Sequence, residues 1–365
     1  MKPSRLILLP NPLWVNSARS ALIGLTLGLI VLLTLLPVHG QNTDTGPVSG
    51  EPTRTQTIAL NKGWNAAYLE VDPTDPDPAA LFKGTPIDVA AAYFSATSVQ
   101  FMTDPGEAVQ KRGDWGVWYA PDRPEAFLGR LEQVYGQRAY LIHAKQNFSW
   151  VVSGAVRLPD HRWKPNAFNF TGFCVDATAA PTFSQFFSGS KAHRHDKIYR
   201  LAGEGWRRVT QPNAEAMRSG EAFWIYCDGG STYQGPLSVK TGSYSGLVLG
   251  GASDSVVLKN LTDHPVTPTI EHIADGEKTV PLSVVLLGLN DERYGPRLPP
   301  TSAVYASKPD AGWTQDLPPI EAGRGFKVPF VVRREAMTKA RQSSLLKITT
   351  DLGTEHWIPV TGIRK

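Results

Sequence analysis

Catalysis and metal binding need polar side chains that converge, and this chain offers few candidates. The first is His193, His195 and Asp196, within Lys191-Ala-His193-Arg-His195-Asp196. In an extended segment, residues i and i+2 share a face. Both imidazoles could then reach one metal ion, with Asp196 completing the set. Three flanking cations, Lys191, Arg194 and Lys197, oppose that, and an exposed basic loop is the plainer reading. The second group is Glu70, Asp72, Asp75 and Asp77 in EVDPTDPDP. Calcium takes about six to eight oxygen ligands. The three prolines of that string make a rigid turn region the stronger expectation. No cofactor is therefore expected, with calcium kept as the one ion these acids suit.

Other catalytic signatures are absent. The string nearest to a nucleophile elbow, GSYSG at 242–246, has Tyr244 where the serine should stand. The chain has no P-loop, no dinucleotide fingerprint after a strand, no HExxH helix and no CxxC pair. A glycosidase needs two carboxylates at a set separation, and sequence selects no pair among 33 acids. The tryptophans are the remaining resource. Trp64, Trp206, Trp224 and Trp313 occupy strand-like core positions, whereas Trp115, Trp118, Tyr119, Trp150 and Trp163 are candidates for stacking on sugar rings or partner side chains. Alternation in Asp114-Trp115-Gly116-Val117-Trp118-Tyr119 puts Trp115, Val117 and Tyr119 on one face and Trp118 on the other.

The elements that must position these residues follow a leader. Residues 1–40 read as a signal peptide: a basic start, the apolar run 21–36, then Val38-His39-Gly40 before Gln41. An uncleaved anchor is the alternative, although sixteen residues span only about 24 Å of a roughly 30 Å hydrocarbon core. The chain is expected to be exported: secreted, periplasmic or held at the cell surface. Residues 41–56 carry almost nothing to bury and read as a flexible linker. Removing Lys2, Arg5 and Arg19 from the formal charge of +4 leaves +1, so the body has no global electrostatic case for nucleic acid. The two cysteines, Cys174 and Cys227, are expected to pair in an oxidising compartment, with two buried thiols as the alternative.

The body holds an internal repeat. KGWNAAYLEVD at 62–72 aligns with NAFNFTGFCVD at 166–176, and GQRAYLIH at 136–143 with GEAFWIYC at 220–227. Each copy should open and close with a buried strand, with a short helix and a hairpin between. This makes a β-rich module 1 over 57–160 and a module 2 over 161–241. The alignment matches Glu70 to Cys174 and His143 to Cys227. A disulfide in one module thus predicts an acid–imidazole contact in the other.

The arrangement resembles modules of exported bacterial proteins that open on a Gly-Trp-Asn strand and close on a Gly-x-x-Tyr-Trp-Ile-like strand. Here the opening is Gly63-Trp64-Asn65, and the closings are Ala139-Tyr140-Leu141 and Phe223-Trp224-Ile225. Phe168-Asn169 departs from the pattern. The resemblance implies no catalytic activity. Asn147, Asn169 and Asn260 begin Asn-x-Ser/Thr triplets, which a bacterial origin makes incidental.

Residues 242–365 change texture to seven short β-like runs, as in a sandwich. The part from Ile320 to Val360 resembles the last strands of bacterial immunoglobulin-like domains, and a third copy of the repeat is the rival reading. The expected fold is thus mainly β: two related modules and an immunoglobulin-like β-sandwich after a signal peptide. The expected function is non-catalytic, as a surface, adhesion or scaffold protein acting through protein–protein contacts. The alternatives are carbohydrate binding through exposed aromatics and a hydrolase with acids from separate modules. Expected partners are other exported proteins or polysaccharide, with no nucleic acid. A membrane is expected only through an uncleaved N-terminal segment.

Overall fold

A computed structural model describes residues 50–94, 115–193, 197–250, 253–284 and 312–364. The leader, His195 and Asp196 lie outside the described residues. Among the described residues, no helix is long and apolar enough to cross a membrane.

The fold is mainly β. The first module contributes β1 (Thr53–Leu60), β2 (Gly63–Leu69), β3 (Val71–Pro73), β4 (Ile87–Tyr93), β5 (Trp115–Tyr119), β6 (Arg138–Ala144) and β7 (Phe148–Val156). They make two antiparallel sheets, ordered β2-β6-β4-β5 and β1-β7-β3. Strand β1 alternates, with Ile58 and Leu60 turned inward and their neighbours exposed. They meet Leu69, Tyr140, Ile142, Trp150 and Val152 in a core between the two sheets. Residues 53–56, read above as the end of the linker, are the first half of β1, because pairing with β7 satisfies their backbone groups.

A short helix α1 (Pro78–Leu81) closes one end of this module. The Asp77 side chain accepts from Ala79 N at 2.9 Å, and Pro78 sits where its missing N–H costs nothing.

The second module contributes β8 (Ala167–Gly172), helix α2 (Phe183–Phe187), β9 (Ile198–Ala202), β10 (Gly205–Arg208) and β11 (Ala222–Cys227). Its sheet order, β8-β11-β9-β10, matches β2-β6-β4-β5 strand for strand. Only Gly203 and Glu204 separate β9 from β10, and Gly203 adopts φ +64°. Thr182 and Gln185 form a reciprocal cap on α2, which turns Phe183, Phe186 and Phe187 into the core on one face of the sheet.

The two four-stranded sheets pack face to face along an aromatic seam. Trp115, Tyr68, Val117 and Leu141 of the first meet Trp224 and Ala222 of the second, flanked by Phe170 and Trp206. Tyr68 N donates to Gly220 O at 2.8 Å, so the backbones themselves touch. A Cβ on Gly172 would lie 2.4 Å from the Tyr68 side chain and 2.7 Å from Glu221 O, which is why this position has none.

Residues beyond 236 form a β-sandwich. Its strands are β12 (Leu237–Thr241), β13 (Leu247–Leu249), β14 (Ser253–Asn260), β15 (Pro268–Ile273), β16 (Leu282–Val284), β17 (Trp313–Asp316), β18 (Gly325–Val332), β19 (Arg341–Thr350) and β20 (Glu355–Ile363). The sheets β12-β14-β18-β16 and β13-β20-β19-β15-β17 share one core, with Leu258, Phe330 and Val328 facing Ile270, Leu346 and Ile358. Among the described residues, only β13 and β20 pair in parallel. Asn260 is buried, donating to His264 O and Ile320 O at 2.7 Å each.

The expected disulfide is not formed: Cys174 and Cys227 are both free. Strands β8 and β11 are neighbours, but they run antiparallel. Cys227 faces Ala167, whereas Gly172 faces Ala222 and Cys174 lies further on. Five steps of about 3.3 Å hold the cysteines at least about 16 Å apart, against roughly 7 Å between Cα atoms for a bridge.

Replacing Gly172 by Ala is expected to lower stability by about 1–3 kcal/mol through overpacking. Thermal unfolding of the variant checks this, and an unchanged midpoint would show that the seam has slack.

Candidate functional site

The aromatic candidates are spent mainly on packing. Trp115 is 5% exposed, with its ring centre 5.1 Å from Tyr93 and 6.0 Å from Phe170. Trp150 is buried in the first module beside Phe82 at 5.5 Å. Trp163 is buried against His193 at 4.2 Å, and its Nε1 donates to Tyr233 O at 2.5 Å. Trp118 is half-buried on Phe82 at 4.9 Å, and half-buried Tyr119 borders the seam. The alternation therefore holds, with Trp115, Val117 and Tyr119 on the seam face and Trp118 on the other. It directs Trp115 into the core, which leaves no ring face there for a sugar.

Of the proposed metal set, His193 alone lies among the described residues, at the end of the 3-10 turn Lys191–His193. His193 is turned inward, its Nδ1 sharing a 2.6 Å hydrogen bond with Ser190 Oγ. The acids considered for calcium are also engaged. Asp72 accepts from Arg157 at 2.8 Å and from Gly136 N at 2.7 Å; Asp75 accepts from Asp77 N at 3.0 Å; Asp77 caps α1. Among the described residues, no group of three or more His, Cys, Asp and Glu side chains is placed to hold a metal.

Antiparallel register also separates Glu70 from His143, which the repeat had matched. His143 faces Trp64 across β2 and β6, and Glu70 follows Leu69 at the far end. Each finds another partner. His143 Nδ1 lies 2.5 Å from Asp88, whose other oxygen accepts from Arg123 at 2.9 Å. Asp88 sits at an irregularity between Ile87 and Val89, which turns its carboxylate toward β6. Fifty-five positions separate Asp88 from His143, and no local motif announces the pair. It resembles the orienting half of a catalytic triad. However, among the described residues no hydroxyl or thiol is hydrogen-bonded to it, and Trp64 stands edge-on to the ring at 5.2 Å. Its visible role is to tie the 120–125 loop to the sheet.

Glu70 lies at the corner where the chain passes from β2 to β3, and it is 3% exposed. It pairs with Arg54 of β1 and lies beside the Cys174 thiol of the second module. Arg54 stacks on Trp357 of the sandwich at 4.7 Å, and Lys347 reaches Glu355 at 2.8 Å. Glu355 N donates to Cys174 O at 3.1 Å, so all three parts of the body meet here. Burial pushes the Glu70 carboxyl up against the pull of Arg54, and it pushes the Cys174 thiol up as well. A thiol held protonated is a poor nucleophile, and this junction is structural.

A cavity of about 450 Å³ opens at the edge of the seam, where Tyr93 and Arg138 of the first module face His161, Phe168, Phe170 and Thr171 of the second. His161 Nδ1 lies 3.2 Å from Thr171 Oγ1, and burial lowers its pKa to about 4. The sequence reading passed over both Arg138 and His161. Arg138 stands in the GQRAYLIH run and His161 in none of the motifs, and only the packing of the two sheets brings them to one cavity.

No family model and no curated protein matches this chain.

Burial holds His161, His193, His272 and His356 neutral, each with a pKa of about 4. The unfolded chain has the ordinary value near 6.5. Between these values the unfolded state binds protons that the fold refuses. Their contribution is therefore full above about pH 6.5 and is lost as pH falls toward 4. The raised Glu70 works in the opposite direction. The thermal midpoint should fall by about 5 °C or more between pH 6.5 and 5, before the low-pKa carboxylates Asp176 and Glu215 protonate. A level midpoint over that interval would show that the four rings protonate in place.

Proposed function

We propose that the chain is an exported, non-catalytic protein that serves as a rigid scaffold or surface component and acts through contacts with other exported proteins. The observation that carries this reading is where the reactive residue types are spent. The largest rings fill continuous cores, and the buried carboxylates Glu70 and Asp88 are each paired with a cation, Arg54 and Arg123. What remains outward includes apolar side chains suited to contact, such as Phe127 and Leu128 on the 126–128 turn, 83% and 53% exposed.

The basic start, apolar run and small residues before Gln41 support export. The Gly-Trp-Asn resemblance points the same way, and the C-terminal sandwich is read as immunoglobulin-like on its final strands. Free cysteines, Cys227 buried and Cys174 half-buried, are compatible with an oxidising compartment because neither thiol can reach the other. Sugar binding through Trp115, Trp150 and Trp163 is not carried forward, since those rings are buried.

Two outcomes test this. The protein recovered outside the cytoplasm of an expressing bacterium should begin at Gln41 by N-terminal sequencing; retention of the full leader in the cytoplasmic fraction would contradict export. The purified protein should show no turnover of glycoside, ester or peptide substrates above a heat-denatured control. Saturable turnover that disappears in Asp88→Asn would overturn the non-catalytic reading.

A further inference from the structure

The seam cavity has features that packing does not account for. Its volume, about 450 Å³, falls in the range of small-molecule sites. Arg138, the first residue of β6, lines it and has no carboxylate within ion-pair distance among the described residues. Its guanidinium is instead held between ring faces, 5.0 Å from the centre of Phe94 and 5.9 Å from that of Tyr135. Arg54 and Arg200, by contrast, each meet a carboxylate. An arginine pre-positioned by aromatic faces keeps its donor fork available, and that fork matches a carboxylate with two parallel hydrogen bonds.

The opposite wall supplies the complement. His161 spends Nδ1 on Thr171, and its Nε2 has no partner among the described residues. A neutral imidazole there can exchange a hydrogen bond with a hydroxyl without adding charge. Tyr93, Phe168 and Phe170 supply flat apolar surface between these polar ends. The charged side chains at the rim, Arg162 and Asp160, already pair at 2.9 Å and neutralise each other.

We propose that this cavity binds a ligand carrying one carboxylate on a six-membered ring, with the carboxylate on Arg138, the ring against Phe168 and Phe170, and a polar substituent on His161. Two sources share that chemistry: a uronate residue of an extracellular polysaccharide, and a free aromatic acid. The cavity requires both modules, because Arg138 comes from one and His161 from the other. It therefore gives the pairing of the modules a role beyond mutual burial.

Titration calorimetry on the full-length folded chain tests the proposal, with oligogalacturonate, the neutral galactose oligomer and benzoate as separate probes. Oligogalacturonate or benzoate should bind with saturation, and the galactose oligomer at least tenfold more weakly. Binding of oligogalacturonate but not benzoate assigns the site to a polysaccharide, and the reverse assigns it to an aromatic acid; either supports the shared chemistry. Arg138→Gln should weaken binding at least tenfold at an unchanged thermal midpoint. Arg138→Lys, which keeps the charge but not the fork, should fall between the two. If Arg138→Gln lowers the midpoint, Arg138→Lys with an unchanged midpoint decides, and equal affinity to the native chain overturns the assignment. So does equal affinity for the neutral oligomer, or no binding of any probe at millimolar concentration.

Discussion

Close contact between two four-stranded sheets is the constraint on which the rest of the molecule depends. Tyr68 is completely buried where β2 meets the second module, and its side chain occupies the space that any Cβ on Gly172 would need. Burying an aromatic side chain of 150–250 Å² is worth roughly 4–6 kcal/mol at about 25 cal/mol per Å² before entropy is counted. The exposed ion pairs, such as Lys145–Asp122 and Arg162–Asp160, are screened by water and contribute little. The rings therefore fix how the modules sit, and the charges adjust to that placement.

The buried charges show the same ranking. Glu70 and Arg54 sit where three parts of the body converge, and withdrawal from water raises the Glu70 carboxyl even beside a guanidinium. Such a pair adds little net stability, but leaving either member alone would be costly. Its effect is on geometry, since a displaced sandwich would move Trp357 and Glu355 away and strand the pair. Arg200, held by Glu221 and Glu215 in the second module, works locally in the same manner.

Much of this architecture is legible in the sequence, because aromatic-aliphatic runs after a glycine mark buried strands regardless of their partners. The openings at Gly63 and Ala167, the closings at Arg138 and Ala222, and the alternation at Trp115–Tyr119 all follow from local pattern. The two failed pairings have one source, which is register. Alignment of the two copies brought Cys174 to Cys227 and Glu70 to His143 as neighbours on adjacent strands. Antiparallel pairing reverses one strand, so residues matched at corresponding ends of the motifs finish at opposite ends of the sheet. The same reversal frees His143 to meet Asp88, a contact between residues that share no motif.

Register explains as well why the candidate cavity was hidden. Sequence assigns each ring to a core and each arginine to a surface, one residue at a time. The cavity is the place where the seam stops being closed, with Tyr93, Phe170 and Ala139 contributing both to the packed interior and to the open edge. A sheet pair that packed perfectly along its whole length would have no such edge. The twist of β-sheets makes two faces diverge away from their line of closest approach. Close contact near Gly172 and an opening beside Arg138 are thus two consequences of one packing geometry. The residues that line the opening are those the closed part of the seam had no room to bury.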